Sequence, residues 1–329
     1  MTWRNVAYGV AYGDAWGAPH EFHSYGEITE NDPRGPEFPQ TAFVTDDTQM
    51  TLALADALHH TDGWSEEFIF DAITSAFVGY FNDEDNTLDR APGATVTNSL
   101  SKLNDGWAWF AATDLRSKGC GTVMRTAAAM NLPEGVWQRV TAFQSLVTHA
   151  NPTATVAALL TVAVLREART AEPGGLLDLA LRLVDDEKLT AGLDDLVALV
   201  LDHHDQPTQG YFEQGREECR AALLRARSGR AVLANTPWAL DTCDLVGRGW
   251  VAEETLACAL LAADLFPNDP QDALRRAVVC GGDSDSIGAV AGAIIGAATA
   301  APDPWPASWD ARLEPRYAAW LADASTYWA

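Results

Sequence analysis

Apolar residues recur at helical spacing through most of this chain, while runs alternating with period two are few and β-branched residues seldom cluster. A half-buried strand needs alternation and an amphipathic helix needs apolar residues three and four apart, so little scope is left for a sheet. Residues 50–60 read MTLALADALHH, residues 66–81 carry aromatic and aliphatic side chains at helical intervals, and residues 155–167 read TVAALLTVAVLRE. Residues 175–184, 193–203, 250–265 and 272–279 repeat the style, and a Gly/Ala run follows from Ile287. Within that run Gly288, Gly292 and Gly296 fall four apart, on one helical face. Glycine weakens a helix by about 1 kcal/mol relative to alanine, so the stripe predicts a compensating close contact with another helix. The expectation is an all-α fold, one domain over residues 1–329, with no internal repeat and no clean boundary.

Hydrophobic residues make up 47% of the chain and charged residues 21%, enough to build a core. The formal net charge of −24 repels a phosphate backbone, which disfavours broad nucleic-acid binding but leaves room for a local pocket that takes a small phosphorylated ligand. The five cysteines are scattered and never form a CxxC pair, which fits neither a disulfide framework nor a zinc site and suits a reducing cytoplasm. Residues 1–12 show no signal-peptide pattern. The uncharged stretch 287–302 is shorter than the ~20 residues a membrane span needs, and its Gly and Ala content predicts a buried helix. Residues 23–42, rich in proline and glycine, predict a long irregular excursion, and residues 82–93 and 206–215 predict two further polar connections.

Two acidic clusters stand at predicted helix starts. Residues 45–48 read Thr-Asp-Asp-Thr before an apolar helical run, and residues 283–286 read Asp-Ser-Asp-Ser between Gly281-Gly282 and the Gly/Ala helix. Helix N-termini favour carboxylates, and Ser, Thr and Asp are preferred caps, so capping alone would account for a single cluster. Two clusters ask for more, because each supplies two carboxylates where a cap needs one. Four carboxylates brought together require cations, since like charges oppose ionisation. Hard oxygen donors suit Mg²⁺, Mn²⁺ or Ca²⁺, and two such ions side by side form a hydrolytic arrangement.

Residues 119–125 read Gly-Cys-Gly-Thr-Val-Met-Arg before an alanine run that looks helical; a Gly-x-Gly turn there can offer backbone N–H groups to an anion, or be a plain turn. Residues 9–22 (GVAYGDAWGAPHEF) combine small residues suited to close packing with a break at Pro19 that leads to Glu21 at the mouth of the long excursion. His149 precedes a helix in Thr-His-Ala-Asn-Pro. His203-His204-Asp205 resembles a metal motif only on paper, because adjacent helical side chains point apart. The twelve tryptophans read as packing residues, one of which could stack on a nucleobase.

In order along the chain, GVAYGDAWGAPHEF, TDDTQMTLALADAL, GCGTVMR, THANPTA, GWVAEETLACAL and GGDSDSIGAVAGAIIGA resemble the ADP-ribosylglycohydrolase family over residues 7–300. The resemblance implies a compact, single-domain orthogonal helical bundle with a binuclear metal site at loop–helix junctions, holding two divalent metal ions, Mg²⁺ or Mn²⁺. It implies metal ligation by Thr45, Asp46 and Asp47 from the first cluster and by Asp283, Asp285 and Ser286 from the second. It also implies contact of Gly119, Cys120, Gly121 and Thr122 with a diphosphate, and contact of His149 with the ligand. Proton transfer falls to Asp46, Asp47 or Glu21. The implied activity is hydrolysis of an ADP-ribosylated protein or other ADP-ribosylated acceptor, with ADP-ribose as product; arginine N-glycosides are favoured, and serine and nucleobase linkages are the other options. The alternative is a non-catalytic ADP-ribose-binding or structural member. The glycine loop departs from the family's usual Gly-Asn-Gly-Ser-Ala-Met-Arg at Cys120, Thr122 and Val123, and Ser284 and Ser286 replace two threonines, yet no carboxylate is lost.

Overall fold

The computed structural model describes residues 3–59, 61, 65–87, 90 and 92–328; His60 and parts of the 82–93 connection lie outside the described residues. The architecture is all-α. Among the described residues the only β-type pairings are three isolated bridges, Ala42 with Leu313, Asp114 with His149, and Gly119 with Val251. The principal helices are α1 (Trp3–Gly17), α2 (Asp46–His59), α3 (Glu66–Asn82), α4 (Ala94–Asn104), α5 (Val136–Leu146), α6 (Pro152–Glu167), α7 (Tyr211–Leu233), α8 (Ala252–Leu265), α9 (Pro270–Val278), α10 (Ser284–Ala298) and α11 (Pro315–Ala324).

The glycine stripe finds its partner in α1. Gly296 packs on Asn5, Gly292 on Gly9, Gly288 on Gly13, and Gly17 on Ser284, an antiparallel ladder with one rung per turn. At each rung a Cβ would fall inside the facing backbone. Two helices pressed this closely gain dispersion contacts along their whole length, which offsets the low helix propensity of glycine. The Ser284 hydroxyl closes the last rung by donating to the Gly17 carbonyl at 2.9 Å. Every residue of α10 except Ala298 is buried, as the composition predicts, and no described helix is long and apolar enough to cross a membrane.

Helix α6, buried on nearly all sides, and α8 stand beside this pair and complete the centre of the core. Helix α7 departs from the sequence expectation. It begins at Tyr211, inside the stretch expected to be a loop, and runs for 23 residues. Its buried face is largely Gly215, Cys219, Ala222, Ala226 and Gly229, with few large apolar residues, so its periodicity is faint in hydrophobicity terms. The alanine run after Arg125 forms a 3₁₀ segment, Thr126–Asn131, instead of an α-helix. The 23–42 excursion contains a single α-turn, Tyr25–Ile28, with a Ser24/Glu27 capping box. It is otherwise irregular and is fastened from α9 by Arg275, which bonds the Arg34 carbonyl at 2.9 Å and Glu37 at 2.7 Å.

Candidate active site

Helix starts and the glycine ladder together build an acidic cavity of about 300 Å³. The ladder delivers Asp14, next to Gly13 on α1, to the start of α10, where Asp285 stands. Helix α2 arrives with its N-terminus on Asp14, whose carboxylate accepts the N–H of Thr45 at 3.0 Å and of Thr48 at 3.1 Å, and both threonine hydroxyls. The first cluster is therefore capped by an acid from another helix, which leaves its own acids for other work. The second cluster behaves similarly: Asp283 occupies the N-cap position of α10 but makes no side-chain cap bond. Gly282 brings the chain there by pressing against Arg248, whose carbonyl carbon would lie 2.8 Å from a Cβ.

Ligand oxygens of Asp14, Asp47 and Asp285 all lie within 4.8 Å of one another, and so do those of Glu21, Asp283 and Asp285. The two groups share Asp285. Asp47 Oδ1 and Asp285 Oδ1 are buried without a hydrogen-bond partner. Orphaned carboxylate oxygens are costly in a protein interior unless something positive meets them. Burial, followed by the charge of Asp285, raises Asp14 to about 7 and both Glu21 and Asp46 to about 8. The same causes hold Asp47 well above the usual carboxylate range, and burial with the Asp285 charge does so for Asp283. A cluster so reluctant to ionise alone is suited to divalent cations, and an all-oxygen donor set suits hard ones.

Of the expected ligand residues Asp46, Asp47, Asp283, Asp285 and Ser286 line this cavity, and Thr45 stands behind it on Asp14 and Asp47, with two further differences in detail. Asp46 is buried and lines the cavity, but it belongs to neither group; it accepts from its own backbone N–H and that of Gly93. Asp14 belongs to the first group although the sequence reading assigned it no role. It is a single acid among small residues inside a helix, and its threonine partners lie 31 and 34 positions away. Thr45 bonds Asp14 at 2.8 Å and Asp47 at 3.1 Å, and Ser286 lines the cavity floor. Glu21 follows the 3₁₀ turn Ala18–His20 and is the one acid of the five in the two groups that keeps partial solvent access.

Two of the isolated bridges pin the glycine segment as one wall. Asp114 pairs with His149, and Gly119 with Val251, the second through bonds from the Cys120 N–H to the Trp250 carbonyl and from the Ala252 N–H to the Lys118 carbonyl. The His149 ring packs beneath both glycines. A Cβ on Gly119 would sit 3.1 Å from Nε2, and one on Gly121 would sit 3.2 Å from Cε1. Thr122 is fully buried and bonds the Ala154 carbonyl at 3.2 Å, so its side chain braces the wall and does not face a ligand. Burial, reinforced by Arg125, lowers His149 to about 3, so the ring is neutral. Arg125 Nη2 donates to Thr148 Oγ1 at 2.7 Å, and that hydroxyl lies 2.8 Å from His149 Nδ1. This chain fits a hydroxyl donating to Nδ1 with the ring proton on Nε2, beside the glycine wall. Trp250 stands at the rim with Phe22 stacked on it, ring centroids 5.6 Å apart. His203 and His204 sit at the end of a separate helix, where His204 Nε2 meets the Phe110 carbonyl at 3.0 Å.

Comparison with known proteins gives a consistent picture. The model of the family described as ADP-ribosylglycohydrolase matches residues 3–327. A solved structure described as an ADP-ribosylglycohydrolase-related protein complex is 23% identical, covers 99% of this chain and 96% of its own, and superposes with a TM-score of 0.63. Among curated proteins none matches the chain significantly.

Proposed function

Because this chain belongs to the ADP-ribosylglycohydrolase family, we propose that it is a metal-dependent hydrolase that removes ADP-ribose from a mono-ADP-ribosylated acceptor. The observation that carries this reading is the pair of carboxylate groups joined at Asp285, with buried, unpartnered oxygens on Asp47 and Asp285. Asp14, Asp47 and Asp285, with Thr45, would hold one Mg²⁺ or Mn²⁺; Glu21, Asp283 and Asp285, with Ser286, would hold a second. Bound there, the ions supply Lewis acidity to water and to the hydroxyls of the distal ribose.

The remaining tasks fall to the chain itself. The backbone of the Gly119–Thr122 segment and the Nε2 proton of His149 form a donor-bearing wall suited to the diphosphate. The bond to break joins C1 of the distal ribose to the acceptor atom, through a state with oxocarbenium character. Water adds its oxygen to C1 and loses a proton, and the acceptor leaves with one. Asp46, outside both groups, is the acid left to carry those protons, and Glu21, the one acid of the two groups that keeps partial solvent access, is the second candidate.

An arginine N-glycoside is the favoured substrate, because an acidic cavity on a chain of net charge −24 suits a cationic guanidinium leaving group. All five cysteines are free, which suits a reducing cytoplasm. The test is release of free ADP-ribose from arginine-, serine- and guanine-linked substrates with Mg²⁺, with Mn²⁺ and with EDTA. Metal-dependent release is expected, fastest from the arginine linkage. Tight ADP-ribose binding without release from any linkage would select the non-catalytic reading instead.

A further inference from the structure

The donors around the two carboxylate groups are mostly oxygens, and Cys120 adds a thiol to them. Cys120 points its Sγ at Asp283 Oδ2, 2.9 Å away, and its thiol also meets the Ser286 hydroxyl. Its backbone is fixed by the bond to the Trp250 carbonyl and by the neighbouring Gly119–Val251 bridge, so the thiol is held toward the acids. The same cavity holds the unpartnered oxygens of Asp285, a residue 5% exposed, and Asp47, 1% exposed. Two donors on one cation, with bonds of roughly 2.3 Å to sulfur and 2.0–2.2 Å to oxygen, stand about 3–3.6 Å apart, so the Cys120–Asp283 pair needs only a small adjustment to share one. Sγ falls in no set of three donors all within 4.8 Å of one another, so it would join through the Asp283 edge once the cysteine side chain shifts toward the acids.

We propose that Cys120 is a thiolate ligand at the Asp283 side of this centre and biases it toward thiophilic divalent cations of the Zn²⁺, Co²⁺ and Cd²⁺ class. The proposal rests on the metal-dependent reading above. Forming the sulfur–metal bond releases the thiol proton to solvent, and no oxidation state changes. Soft sulfur donors discriminate strongly in favour of such ions over Mg²⁺, which prefers oxygen. The other four cysteines are buried, whereas Cys120 is partly exposed to the cavity.

The experiment titrates the full-length protein with Cd²⁺ and follows the ultraviolet thiolate-to-metal charge-transfer band, beside a Mn²⁺ titration read by electron paramagnetic resonance. The expected result is a band that saturates at one thiolate per chain and disappears in Cys120→Ser. That variant should bind Mn²⁺ as the parent does, with Cd²⁺ affinity reduced about tenfold or more. Cd²⁺ bound without a band, or a band unchanged in Cys120→Ser, would overturn the proposal. A band removed only by Cys243→Ser would overturn it as well. If the parent protein binds neither Cd²⁺ nor Mn²⁺, the metal-site reading itself falls and the proposal with it.

Discussion

Gly13 and Gly288 meet backbone to backbone, each occupying the space that a Cβ on the other would need. Asp14 follows the first and Asp285 precedes the second by less than a turn, so this contact sets the distance between two carboxylates of the site. Gly288→Ala should therefore act on stability and on metal binding together. A forced separation of the helices typically costs about 1–3 kcal/mol, and a lower melting temperature with weaker Mn²⁺ binding is expected. An unchanged Mn²⁺ affinity in a folded variant would break the link. Both proteins should unfold in one calorimetric transition if residues 1–329 form one domain.

Asp14 deserves a substitution of its own because its two duties separate. Asp14→Asn keeps an acceptor for the Thr45 and Thr48 N–H groups but removes the charge. Circular dichroism should remain helical while divalent-cation affinity drops about 10–100-fold, the scale seen when a metal's surroundings are altered. Calorimetric titration with Mn²⁺ measures it, and an affinity within threefold of the parent (roughly 0.6 kcal/mol) would remove Asp14 from the metal site.

Asp46 and Asp285 should respond differently to the same loss of charge. Asp285 belongs to both carboxylate groups and Asp46 to neither. Asp285→Asn is expected to abolish cation binding, whereas Asp46→Asn should bind Mn²⁺ and lose about 100-fold or more in turnover, the range for removing a proton-transfer group. Loss of metal in both variants would return Asp46 to the ligands.

The metal-free protein should lose stability as pH rises. Asp14, raised to about 7, and Glu21 and Asp46, raised to about 8, remain protonated in the fold where free carboxyls of pKa about 4 have ionised. Between those limits the folded chain holds more protons than the unfolded one, so unfolding becomes easier with increasing pH. In EDTA the melting temperature should fall from pH 5 to pH 8, and Mg²⁺ or Mn²⁺ should raise it more at pH 8 than at pH 5. Equal metal-induced shifts at both values would argue against cations meeting these acids.

Much of this site was legible in the sequence because its acids and hydroxyls come as dense clusters at helix starts, Thr45 to Asp47 and Asp283 to Ser286, where local spacing carries the signal. The glycine stripe was legible for the same reason, since four-residue spacing is a statement about one helical face. Its partner was not. Gly9 and Gly13 become a docking surface only opposite Gly292 and Gly288, nearly the whole chain away. Asp14 went unnoticed because a lone acid among small residues has no local signature. Arg125 closed a recognised motif, yet its part in holding Thr148 beside His149 depends on a fold that buries a guanidinium. Helix α7 was obscured because close packing against α6 and α8 rests on small residues that hydropathy hardly registers.

The antiparallel ladder also has a consequence for how the molecule comes into being. Asp14 is synthesised long before Asp285, which lies far along the chain. Until translation has delivered α10, the N-terminal half of the cavity has no counterpart, and a stalled or shortened nascent chain carries acids that face no second group. The acidic cluster is thus withheld until α10 has been made, and the closing of two segments distant in sequence, slow by its topology, is the event that completes it.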